Sequence, residues 1–111
     1  MEITEAKQDN YTVVGLGGKL DANTALELEQ KILALIDAGT TNMVMDFSKL
    51  EYVSSAGLRV FLIAAKKLKR VNGKLALASV QPHVKHVFDL AGFSSLFSFY
   101  PSQQEAASIM G

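Results

Sequence analysis

Two short apolar runs bracket a long amphipathic segment, and few folds accommodate that arrangement. Met43 to Phe47 and Lys74 to Ser79 have the length of strands. Between them Leu58, Phe61, Leu62, Ala65 and Leu68 recur at i, i+3, i+4, i+7 and i+10, the spacing of one helical stripe. A strand, helix, strand unit of this size joins its strands in parallel through a right-handed crossover. An α/β sheet follows. Met43–Phe47 carries a single charge, Asp46, which suits a strand lying mid-sheet with both faces covered.

The central helix is predicted from about Ser55 to Val71, after a loop that follows Phe47. Ser54 has the residue type favoured at an N-cap, which puts Ser55 in the first turn, where backbone N–H groups lack intrahelical partners. That end carries a positive local field. A phosphate on the Ser55 hydroxyl would be accommodated there without unravelling the helix. Asn72-Gly73 suits a left-handed cap at the far end.

Upstream, Ile3–Lys7 and Tyr11–Gly17 flank the turn formers Gln8-Asp9-Asn10 and read as a β-hairpin. Thr24-Ala25-Leu26-Glu27 has the form of a capping box ahead of a helix with Leu28, Ile32, Leu35 and Ile36 on one face, ending at Ala38-Gly39. Downstream, Pro82 opens a helix lined by Val84, Val87, Phe88 and Ala91, and Gly92 stops it. The aromatic stretch Phe93–Tyr100 reads as a connection with a short edge strand, and Ser102-Gln103-Gln104-Glu105 starts a last helix to about Met110. The sum is a mixed sheet of four or five strands with about four helices, layered mainly on one face.

A chain of 111 residues without cysteine fits one compact domain, here expected to span 1–111, and can bury roughly two thirds of its unfolded surface. Zero formal net charge and an apolar fraction of 49% give no sign of a polyanion-binding surface, so nucleic acid is not expected as a partner. Neither a signal-like amino terminus nor a membrane-length apolar run is present in the sequence; a cytoplasmic protein without membrane association is expected.

The run Asp46-Phe47-Ser48 through Val53-Ser54-Ser55-Ala56-Gly57-Leu58, together with Gly18-Lys19-Leu20-Asp21, resembles the anti-sigma factor antagonists, or STAS domain family. The resemblance covers essentially the whole chain and implies the STAS fold. It implies that Ser55 is phosphorylated by a partner kinase. It further implies a binding module, not an enzyme, that captures an anti-sigma factor doubling as a serine kinase and is released on phosphorylation, with a serine phosphatase reversing the mark. The contact residues it points to are Asp21, Asn23, Ser54, Ser55, Ala56, Gly57, Leu58 and Arg59, and it calls for no cofactor or metal. Many members carry an acidic residue immediately before the phosphorylated serine. Here that place is Ser54, which makes it a candidate minor acceptor. A STAS subunit of another regulatory or transport assembly is the alternative.

Other motifs carry less. Gly15, Gly17 and Gly18 have G-x-G-G spacing and no helix start behind them, which favours a bulge over a dinucleotide loop. A serine hydrolase built on Ser55, with Asp46 or Asp21 and His83 or His86, lacks the first glycine of a nucleophile elbow. His83, His86 and Asp89 at three-residue spacing drift around a helix and lack a fourth ligand, so no metal is expected. Asp46 is expected to orient the loop after its strand. Arg59, Lys66, Lys67, Lys69 and Arg70 read first as a solvated helix face and second as a docking surface.

Overall fold

The structure is a computed structural model and describes residues 1–110. Its strands are β1 (Glu2–Lys7), β2 (Thr12–Leu20), β3 (Asn42–Val53), β4 (Lys74–Ala78) and β5 (Phe99–Tyr100). Its helices are α1 (Ala25–Asp37), α2 (Ser55–Arg70), α3 (Pro82–Leu90) and α4 (Gln103–Ala107), with a 3-10 turn at Ser94–Leu96. The five strands form one sheet in the order β1-β2-β3-β4-β5; β1 runs antiparallel to β2 and the other pairs are parallel.

β3 takes the middle, as its low charge requires, and Met43, Val44 and Met45 are sealed on both faces. It is more than twice the expected length. Residues 48–53, expected as a loop, continue the strand against β2, with Lys49 opposite Gly17, Leu50 opposite Gly18 and Val53 opposite Leu20. Register shifts fall between Gly15 and Gly17 and between Gly18 and Lys19, so the glycine-rich stretch lies in an irregular, bulged ladder. Asp46 serves this irregularity: its Oδ1 accepts the Ser48 N–H at 2.9 Å, within the strand and not in a loop beyond it.

Three helices cover one face and α4 the other. Leu28 and Ile32 of α1, Leu58, Phe61 and Leu68 of α2, and Val84 and Phe88 of α3 pack with Leu16, Leu20, Met45 and Phe47. Phe47, Phe61 and Phe88 form the centre, their rings 5.1 to 6.1 Å apart, and Phe97 and Phe99 meet Phe88 edge-on. The buried stripe of α2 is Gly57, Leu58, Val60, Phe61, Ala64 and Leu68; the expected Leu62 and Ala65 lie at its margin, half-buried. On the opposite face Ala106 and Met110 close over Val13, Val44, Ala76 and Ala78.

The helix ends follow ordinary chemistry. α2 stops where Asn72 turns left-handed (φ 58°) and the Gly73 N–H reaches the Leu68 carbonyl at 2.7 Å. A Cβ on Gly73 would collide with the Thr41 carbonyl, so only glycine fits. The last helix is shorter than its predicted span, yet it is capped as expected, with the Glu105 N–H donating to Ser102 Oγ at 3.2 Å.

Candidate functional site

Neighbouring parallel strands β2 and β3 end level with each other, Leu20 beside Val53, and each runs almost at once into a helix. The carboxyl edge of the sheet therefore presents two helix starts side by side. The Ser54 N–H donates to the Leu20 carbonyl at 2.9 Å and ties the two chain segments together at the point of departure. Carboxyl ends of parallel strands are the usual site of function in open α/β sheets.

Ser54 is the N-cap of α2. Its extended backbone (φ −96°, ψ 169°) turns the side chain back, and Oγ accepts the Gly57 N–H at 3.1 Å. That hydroxyl is half-buried and engaged. Ser55 and Ala56, next along the first turn, are exposed, and among the described residues the Ser55 hydroxyl makes no hydrogen bond. The backbone N–H groups of Ser55 and Ala56 likewise find no protein acceptor among the described residues. No acidic residue lies in the first turn of α2.

Gly57 and Leu58, expected at the contact surface, lie inside. Leu58 is fully buried in the core, and Gly57 is buried against Leu20, whose Cγ would stand 2.7 Å from an added Cβ. Both place the helix start without offering a side chain to a partner. Arg59 is exposed one turn beyond Ser55.

Asp21 begins the other helix start. Its Oδ1 accepts from the N–H groups of Asn23 (2.9 Å) and Thr24 (3.2 Å), while the Asp21 N–H donates to Thr24 Oγ1 at 3.0 Å. This is a reciprocal capping box on Asp21 and Thr24, three residues ahead of the expected Thr24–Glu27 box; Thr24 itself is helical (φ −106°, ψ −12°), and its side chain accepts no N–H from the first turn of α1. The Thr24 hydroxyl also donates to the Lys19 carbonyl at 3.0 Å and pins the turn to β2. Asn23 is exposed at its tip. Two apolar side chains that pattern reading passed over flank these segments in the chain: Leu26, 60% exposed in the first turn of α1, and Tyr52, 48% exposed near the end of β3. The signal for Leu26 was its position off the stripe of Leu28, Ile32, Leu35 and Ile36.

The histidines serve elsewhere. His83 Nε2 lies 2.7 Å from the Glu51 carbonyl, and Gln81 Nε2 donates to the Ser48 and Leu50 carbonyls, so the start of α3 is laced to the outer half of β3. Among the described residues neither His83 nor His86 hydrogen-bonds Ser55 or an aspartate. Asp89 is held by the Ser94 hydroxyl and by Lys85, and these bonds, the first foremost, keep its carboxyl below the usual range. No helix among the described residues is long and apolar enough to cross a membrane.

The STAS domain profile matches residues 2–106. BtrV of Bordetella bronchiseptica, a candidate anti-sigma factor antagonist by its description, is 40% identical over 108 residues, covering 97% of this chain and 93% of that one. An anti-sigma factor antagonist from Mycobacterium paratuberculosis has a crystal structure that superposes with a TM-score of 0.88 at 27% identity, over 98% of this chain and 92% of that one. The Bacillus protein SpoIIAA shares the fold in both of its solved forms. Unphosphorylated, it gives a TM-score of 0.83 at 23% identity over 97% and 95% of the two chains. Phosphorylated, it gives 0.76 at 22% identity over 99% and 100%. A profile that spans nearly the whole sequence, and a relative this similar from end to end, meet in a sheet edge with the expected serine at its rim: the chain belongs to the STAS domain family.

Proposed function

We propose that this STAS domain is an anti-sigma factor antagonist switched by phosphorylation of Ser55. In the unmodified state the sheet edge around Asp21, Asn23, Ser55, Ala56 and Arg59 binds an anti-sigma factor that is also a serine kinase, and the sigma factor is released. The kinase then transfers the γ-phosphoryl group of ATP to Ser55 Oγ: the bond to the ADP oxygen breaks, the new P–O bond forms, and the hydroxyl proton passes to a base of the kinase. A serine phosphatase resets the module. The domain itself is a binding surface that performs no chemistry of its own, working in the cytoplasm.

The observation that carries this reading is the contrast between adjacent hydroxyls. Ser54 is half-buried and spent on the Gly57 N–H, while Ser55 is exposed and free among the described residues. Ser55 is thus the principal acceptor and Ser54 a minor one, since phosphorylating Ser54 disturbs a cap worth about 1 kcal/mol. A phosphate adds about −1.5 to −2 charges at neutral pH. Against acidic groups across a desolvated contact that costs several kcal/mol, and ~4 kcal/mol is about a thousandfold in affinity. Exposed Leu26 and Tyr52 fit the apolar anchors such a contact needs.

Two measurements test it. Incubating the chain with cell extract and ATP, followed by phosphopeptide mass spectrometry, is expected to find phosphate on Ser55. Co-purification is expected to recover a kinase-like partner with the parent and Ser55→Ala, and to lose it with Ser55→Asp. Equal recovery by all three defeats the switch.

A further inference from the structure

Arg59 follows Ser55 by one helical turn on α2, and both side chains are exposed. Residues four apart on a helix are surface neighbours, their Cβ atoms about 6 Å apart. Helical side chains lean toward the amino terminus, so an arginine at position 59 has the reach to extend back over the turn that carries Ser55. Among the described residues no side-chain hydrogen bond or ion pair claims the guanidinium. The ion pairs among the described residues join Lys31 to Glu5 and Lys85 to Asp89, and α2 contains no carboxylate of its own. The helix dipole gives no reason for a cation here either. It rewards positive charge in the last turn, where Lys67, Lys69 and Arg70 stand, and Arg59 lies near the opposite end. The next cation on the helix, Lys66, is seven residues further on, about 10 Å along the axis.

We propose that Arg59 is an intramolecular clamp for phosphorylated Ser55. The planar guanidinium donates to two phosphate oxygens, a pairing that a serine hydroxyl cannot support. This deepens the switch proposed above and rests on Ser55 being its site. Phosphorylation then alters the contact face twice, because it adds an anion and withdraws a cation that the unmodified protein holds out toward an acidic group on the partner. A partner that reads Arg59 loses it at the moment Ser55 is modified.

The test uses the full chain with phosphoserine installed at position 55 during translation, so that no kinase is needed. The second ionisation of the phosphate is followed by phosphorus NMR in the parent, Arg59→Gln and Arg59→Lys. An i, i+4 ion pair corresponds to a parent midpoint about 0.3 pH unit below that of Arg59→Gln. Arg59→Lys is expected between them, because lysine keeps the charge and loses the two-pronged geometry. Lys19, Asp21 and Glu51, the charged residues on the adjoining strand ends, are common to all three chains, and their fields cancel in the comparison. The Arg59 Nε–H resonance is expected to move on phosphorylation in the parent. Equal midpoints in parent and Arg59→Gln, both shown folded by circular dichroism, overturn the clamp. Whether an extract modifies Ser55 bears on the switch alone, so the two failures are told apart.

Discussion

Gly57→Ala sets two sizeable effects against each other. In an ordinary helix interior the change stabilises, because alanine is favoured over glycine by about 0.8–1 kcal/mol. Here the new Cβ would lie 2.7 Å from Leu20 Cγ, 3.0 Å from the Leu20 carbonyl oxygen and 3.2 Å from Leu20 Cδ2. Leu20 is fully buried and its carbonyl already receives the Ser54 N–H, so neither side can retreat cheaply. Overpacking of this kind costs about 1–3 kcal/mol, which outweighs the propensity gain and leaves a net loss of about 1 kcal/mol. In a domain near 100 residues that lowers Tm by about 4–8 °C. The assay is urea unfolding followed by circular dichroism, with an unchanged m-value as the sign that stability alone has moved. Because the displaced groups carry Ser54, phosphorylation of Ser55 is also expected to slow. A variant as stable as the parent, or more stable by the alanine increment, refutes the close approach.

Ser54→Ala removes the acceptor for the Gly57 N–H and is expected to cost about 1 kcal/mol in the same urea unfolding assay, with Ser54→Asp restoring the cap. Asp21→Ala empties two N–H bonds at the start of α1 and is expected to cost about 1 kcal/mol, largely recovered in Asp21→Asn. Asp89 is the group with a pH signature. Its carboxyl is lowered in the folded state, first by Ser94 and then by Lys85, so its contribution is present above the unfolded value and fades as pH falls through the folded one. The Tm difference between the parent and Asp89→Asn is therefore expected to shrink on acidification, and a difference that grows would invert the assignment.

Where a residue's role is set by local chemistry, the sequence was readable. Ser54 as cap, Asn72-Gly73 as terminator, Pro82 at the first turn and Ser102 as cap all stand where their types predict. The parallel unit of β3, α2 and β4 followed from length and periodicity. The outer half of β3 did not, because its buried residues are Phe47, Leu50 and Val53: a bulged strand resets the two-residue alternation to an apparent period of three, which imitates a loop. The capping box slipped by three residues for a related reason, since Asp21-x-x-Thr24 and Thr24-x-x-Glu27 are both plausible boxes and only the tie from Thr24 to the Lys19 carbonyl selects the first. The family motif pointed to Ser54 through Arg59 as a contact run, but a motif records what must be present without saying which way it faces. Gly57 and Leu58 face inward.

The two helix starts at the sheet edge are not electrically alike, and the difference bears on which of them can take a phosphate. At α1 the exposed donors meet a carboxylate, Asp21, with Glu27 in the first turn, so the positive field there is already spent. At α2 the cap is a neutral hydroxyl, no acidic residue follows, and Arg59 adds a further positive charge. An anion arriving at α1 would meet repulsion; at Ser55 it would meet two N–H groups without a partner among the described residues and a cation one turn away. Serine in place of an acidic residue at position 54 sharpens that contrast, because it retains the cap while removing the negative charge nearest the acceptor. On the proposed switch the fold would thus have little to lose from a phosphate on Ser55, and the energetic consequence would fall on whatever is bound across the surface.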